Sequence, residues 1–177
     1  MTDQTPKNPG RFTGVGMLLA SCVIGLGLMT LYFDDILGRQ YNPNQRPVSQ
    51  LLVDGGVEVV LQRNRQGHYV LTGHINDVRA VFLLDTGATD VVIPEALAER
   101  AGLTEGRPTQ AMTANGVVTV FSTSVPTLQL GDIALHDVRA SINPAMQGDT
   151  VLLGMSALRH IEFTQRGDTL TLRLYRD

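Results

Sequence analysis

From Gly14 to Phe33 the chain reads GVGMLLASCVIGLGLMTLYF, a stretch without one charged side chain. As a helix it would cover roughly 30 Å, the thickness of a bilayer's hydrocarbon layer. It is apolar all round, so it does not read as the core helix of a soluble domain, which is apolar along one stripe. A cleavable secretory signal is the competing reading, but its apolar core usually runs to about 7–15 residues and ends at small residues. Here Tyr32, Phe33, Asp34 and Asp35 follow instead, so a retained single-pass anchor over residues 14–33 is expected. The 177-residue chain then has room for one further compact domain of ordinary size.

Lys7 and Arg11 precede this segment, and Arg39 and Arg46 follow it. The positive-inside count is nearly even, and the terminal amine tips residues 1–13 toward the cytoplasm. Gly16 with Ala20, and Ser21 with Gly25, would let two such helices approach closely. A net charge of −3 and no block of like charges leave no footprint for nucleic acid. Cys22 stands alone, so neither a disulfide framework nor a zinc-finger spacing is available.

Residues 34–56 hold Asn42, Pro43, Asn44 and Pro47 with no apolar period, and are expected to be a linker. From residue 57 the period becomes two. VEVVLQRN, HYVLTGHI and VRAVFLL read as strands, the first two joined around Gln66-Gly67 and the last two by a tight turn at Asn76-Asp77. PEALAERAG reads as a short helix opened by Pro94 and closed by Gly102. Asn115-Gly116, between QAMTA and VVTVFSTSV, predicts a hairpin with an exposed tip. TLQLGD, IALHDVRASI, IEFTQ and TLTLRLY supply more strands, and GMSALRH a second short helix, with Ser156 in its first turn. The fold class is all-β, a small closed sheet with two short helices after one transmembrane helix.

Residues 81–90, VFLLDTGATD, end a strand buried on both faces with a carboxylate. Gly87 permits a tight turn just beyond, which leaves Asp85 in a loop at the rim of the core, with the Thr86 and Thr89 hydroxyls available to brace the loop from inside. Asp, Thr and Gly also make ordinary turns, so the tripeptide alone is a weak motif. Its setting is more specific. A strand leads in, Ala88-Thr89 continue it, a hairpin tipped by Ala114-Asn115-Gly116 follows, and Leu152-Leu153-Gly154 later leads into a helix.

That order, over residues 57–177, resembles the retropepsin-like aspartic proteases, in particular the membrane-anchored single-domain bacterial type. The resemblance implies a small acid-protease barrel with Asp85 as the catalytic acid and Thr86, Gly87, Ala88 and Thr89 shaping its loop. It implies a flap at Ala114, Asn115 and Gly116, and a supporting strand at Leu153 and Gly154 crossing behind the loop. The tip lacks the tyrosine of pepsin flaps. Such chemistry requires two carboxylates sharing a proton, and the chain carries one D-T-G and no D-S-G. The resemblance therefore implies a homodimer acting on a peptide or protein substrate, with no cofactor. It also implies a bacterial inner-membrane protein held by residues 14–33, its catalytic domain in the periplasm.

Other readings are weighed on the same residues. A catalytically silent peptide-binding module could keep this fold. Asp85, Gly87 and Thr89 also fit the D-x-G-x-T phosphate loop of actin-like phosphotransferases, but those need two α/β lobes. His68 and His74 lie about 20 Å apart along their strand, too far to share zinc, and no metal site is expected. His136 and His160 read as surface histidines, Arg166-Gly167-Asp168 as a turn, and Met112 and Met146 as apolar filler bordering the cleft or loops.

Overall fold

The computed structural model describes residues 9–53, 55–113 and 116–175. Its contacts divide the chain into two units, Met1–Gly38 and Arg39–Asp177. In the first, helix α1 (Pro9–Tyr41) runs through the uncharged stretch and on into the residues expected as linker. Over Gly16–Tyr41 it is long and apolar enough to cross a membrane, with mean hydropathy 1.9 and none of its apolar window buried in protein. Two of its hydroxyls are satisfied within the helix, Ser21 Oγ donating to Met17 O and Thr30 Oγ1 to Leu26 O, each at 2.9 Å. That is the arrangement a polar side chain needs where no water is at hand.

The second unit contains β1 (Val48–Leu51), β2 (Val57–Gln62), β3 (Val70–Ile75), β4 (Val78–Leu84), β5 (Val91–Pro94) and α2 (Glu95–Arg100). β6 (Pro108–Thr113), β7 (Gly116–Leu130), β8 (Ile133–Asn143), β9 (Thr150–Leu153), α3 (Met155–Leu158), β10 (Glu162–Arg166) and β11 (Thr169–Leu174) complete it. The larger sheet runs β3-β4-β9-β5-β8-β7-β6, and a further β3–β7 pairing at His74↔Gln129 and Ile75↔Leu128 closes it into a barrel. Gly73 permits that closure, because a Cβ there would stand 2.9 Å from the Phe82 ring and collide with the Gln129 carbonyl. Inside lie Phe82, Leu71, Ile93, Leu128, Ile142 and Leu153, all fully buried. A smaller antiparallel sheet, β1-β2-β11-β10, contributes Val59, Leu61 and Leu172 to the same core.

The β3–β4 hairpin forms as expected, Asn76 taking φ +51° in its turn. The expected β2–β3 pairing shrinks to an isolated bridge, Arg63↔Tyr69, and β2 pairs with β1 and β11 instead. Asn44 accounts for the split. Its Nδ2 donates to Gln62 O at 2.9 Å and Val70 O at 2.7 Å, and its Oδ1 accepts from Gln62 N at 2.7 Å, taking up ladder groups from both strands. The expectation of an irregular linker is corrected accordingly: α1 continues to Tyr41, Asn42 and Asn44 are buried, and β1 follows. VVTVFSTSV and TLQL, read as two strands, are one strand with a corner. Pro126, which has no N–H to offer the ladder, lies across from Asp137 at φ +51°, and the inward-facing set shifts phase in both strands there.

Candidate active site

β4 is apolar from Ala80 to Leu84, and it is hydrogen-bonded on both sides, to β3 and, in parallel, to β9. The ladder ends at Leu84↔Leu153, and Asp85 is the first residue past it, its N–H donating to Leu153 O at 3.1 Å. The carboxylate is half-buried, and its Oδ1 accepts from Gly87 N at 2.9 Å. Ala88 N donates back to Asp85 O at 3.2 Å, closing the turn. One carboxylate oxygen is thus fixed by the backbone of its own loop.

The segment after β9 clamps that loop from behind. Met155 N donates to Ala88 O at 2.8 Å and Ser156 N to Thr89 O at 2.9 Å. Gly154 lets the two backbones approach so closely, since a Cβ would lie 2.7 Å from Ala88 O and collide with Asp90 O. Its φ of −88° is open to any residue, so only the lack of a side chain matters here. Leu153 thus borders Asp85, and Gly154 packs against the backbone of its loop.

Thr86 and Thr89 are exposed, so the expected bracing by their hydroxyls from within the loop is corrected. Ser156 does that work. Buried to 2% exposure, its Oγ donates to Arg139 O at 2.7 Å and accepts from Val91 N at 2.9 Å, joining α3 to β8 and β5. Nearby, Arg139 Nε and a terminal guanidinium nitrogen reach Asp90 Oδ1 at 2.7 and 2.6 Å. Sequence reading placed Ser156 correctly in the first turn of α3 but carried no signal for its partners on β8 and β5.

The hairpin β6–β7 projects from the barrel with mostly exposed residues. Ala114 and Asn115 lie outside the described residues. Gly116, expected at the tip, is instead the first residue of β7, paired with Thr113 and held at φ +112°. Just behind, Met112 and Val117 form an exposed cross-strand apolar pair, 89% and 59% accessible. Asp85 lines neither of two surface hollows, of about 380 and 520 Å³: His136, His160 and Glu162 line one, Thr164, Arg166 and Thr171 the other. Among the described residues no three His, Cys, Asp or Glu stand close enough to hold a metal ion.

Comparison with known proteins points one way. Residues 71–160 match the family described as "gag-polyprotein putative aspartyl protease". A Sinorhizobium protein, described as uncharacterised and encoded in the cobV 5′ region, is 32% identical over 124 residues, 68% of this chain and 53% of that protein. The chain thus spans about half the length of that curated relative. Among solved structures, a retropepsin-like aspartic protease from Rickettsia conorii is similar with a TM-score of 0.57 at 25% identity, over 73% of this chain and 96% of that one. The EIAV protease in complex with an inhibitor overlaps with a TM-score of 0.46 at 26% identity, over 56% of this chain and 92% of that one.

Proposed function

The chain belongs to the gag-polyprotein aspartyl protease family, the retropepsin-like aspartic proteases, and from that premise we propose that it is a membrane-anchored endopeptidase with Asp85 as its catalytic acid. The observation that carries the reading is the carboxylate at the end of β4, half-buried, hydrogen-bonded through Oδ1 to Gly87 N and backed by Leu153 and Gly154. A side chain held this way loses little further freedom when a substrate arrives, which is what positioning for catalysis requires.

One such carboxylate is half of the chemistry. In aspartic proteases two share a proton: one accepts a proton from the attacking water while the other polarises the scissile carbonyl, because like charges so close cannot both ionise. This chain supplies a single D-T-G, so the second Asp85 comes from a second copy across a two-fold axis. The loop is complete within one chain, and association adds the partner's carboxylate. Thr86, Gly87, Ala88 and Thr89 shape the loop. The β6–β7 hairpin acts as the flap, with Ala114, Asn115 and Gly116 toward its tip. Met112 and Val117, exposed behind that tip, offer apolar contacts to a substrate.

Helix α1 holds the protein in the bacterial inner membrane with the protease domain in the periplasm. Confining copies to one plane raises their effective concentration for pairing. Asp85→Asn tests the assignment: peptide cleavage at acidic pH should vanish, as it should in wild type treated with an aspartic-protease inhibitor such as pepstatin. Folding and association should be unchanged. Cleavage surviving in Asp85→Asn would remove Asp85 from the chemistry, and a chain that binds peptides but never cuts them would be a binding module.

A further inference from the structure

Three segments border the hollow of about 380 Å³: the start of β8, the connection from α3 into β10, and the end of β11. In each, a buried apolar residue decides which neighbours face outward. Leu135 is buried beside exposed His136, Ile161 is buried between exposed His160 and Glu162, and Leu172 is fully buried beside half-exposed Arg173. Neighbours in extended chain point to opposite sides, so packing the apolar residues into the core turns the polar ones out. Two imidazoles, a carboxylate and a guanidinium thereby line one hollow. They are not spaced to share a metal ion.

These groups have bonding capacity to spare. Arg173 stands between Glu162 and Glu58 in the strand register and turns to Glu58, Nε to Oε2 at 2.7 Å. Glu162 is left without an ion pair among the described residues. His160 Nε2 accepts from Arg159 Nε at 3.2 Å, so in the neutral ring Nδ1 carries the proton and can donate it. A simple anion here would lie against Glu162, and a simple cation beside Arg173. A zwitterion meets both signs: its carboxylate takes the imidazole N–H groups with the Arg173 charge nearby, and its ammonium takes Glu162. Leu135 and the Tyr175 ring supply a wall for an apolar side chain. We propose that this hollow binds a free α-amino acid. Its volume lies toward the small end of the range for small-molecule sites, about 300–1,000 Å³. A longer peptide carries its two terminal charges too far apart to set both against these residues.

Isothermal titration calorimetry on the full chain in detergent micelles, with L-phenylalanine as the probe, tests the site. N-acetyl-L-phenylalanine lacks the ammonium and L-phenylalaninamide lacks the carboxylate, and each should bind about tenfold more weakly than phenylalanine. Glu162→Gln should bring phenylalanine down to the level of its N-acetyl analogue while the amide keeps its disadvantage. His136→Ala made together with His160→Ala should instead bring phenylalanine down to the level of the amide. All three side chains are exposed, so these variants should keep the wild-type melting curve by circular dichroism, and the ranking of the three probes on wild type stands without them. No heat from phenylalanine at concentrations up to about 10 mM overturns the proposal. So does equal affinity for the three probes, or a Glu162→Gln variant that still prefers phenylalanine to its N-acetyl analogue. Asp85 has no part in this hollow, so loss of binding here and loss of peptide cleavage are separate results.

Discussion

Gly154→Ala tests how the Asp85 carboxylate is held. The added methyl would lie 2.7 Å from Ala88 O, where ordinary contact begins at 3.4 Å, so that carbonyl must retreat by 3.4 − 2.7 = 0.7 Å, and Asp90 O by more. Both obstacles are backbone, so no side chain can swing away. Ala88 O accepts from Met155 N and Thr89 O from Ser156 N, and the retreat stretches both bonds at once. Overpacking of this kind costs about 1–3 kcal/mol, and each weakened bond adds about 1 kcal/mol. A total near 3 kcal/mol corresponds to roughly a 10 °C fall in melting temperature for a unit of this size. Asp85 lies three residues before Ala88 in the displaced loop, and under the proposed role of Asp85 as the catalytic acid a shift approaching 1 Å there costs on the order of 10²-fold in rate. Thermal unfolding by circular dichroism reads the first effect. Peptide hydrolysis, assayed well below the variant's melting temperature, reads the second. A variant that melts with the wild type and cleaves at the wild-type rate would refute the claim that Gly154 is there to let the two segments touch.

Asn44→Ala should destabilise residues 39–177 by about 2–4 kcal/mol, since it strips partners from Gln62 N–H, Gln62 C=O and the carbonyl of buried Val70; urea unfolding measures it, and a change under about 0.5 kcal/mol would show water substituting for the amide. Arg173 is held above its ordinary value by its hydrogen bond to Glu58 and then by Coulomb attraction to the same carboxylate. A cation whose folded-state pKa is raised keeps its contribution at every pH below its unfolded value and loses it only in strong alkali. The stability difference between Arg173→Gln and wild type should therefore be flat from about pH 6 to 9, and a slope in that window would show another group titrating with the pair.

Local pattern made much of the fold legible. Alternation in VRAVFLL, the Asn76-Asp77 turn, Pro94 and Gly102 bounding α2, and the Arg166-Gly167-Asp168 turn all act within a few residues, and each appears where the sequence puts it. What stayed hidden acts across the chain. Nothing in Asn42-Pro43-Asn44 announces that an amide side chain will separate β2 from β3, because the same composition serves an irregular connection equally well. The position of Asp85, just past the strand, was legible from the apolar run that precedes it. Ser156 was not, because its two partners come from strands 17 and 65 residues away.

These two kinds of residue divide the labour at the site. β4 delivers Asp85 to the rim of the barrel, and its direction is fixed by strand pairing on both sides, which any apolar run of that length could supply. Holding the carboxylate there depends on Gly154, Met155 and Ser156, whose backbone N–H groups and one buried hydroxyl anchor the loop to α3, β5 and β8. Substitutions along β4 should then act first on the stability of the barrel, whereas substitutions in residues 154–156 should act on the loop while most of the core stays packed.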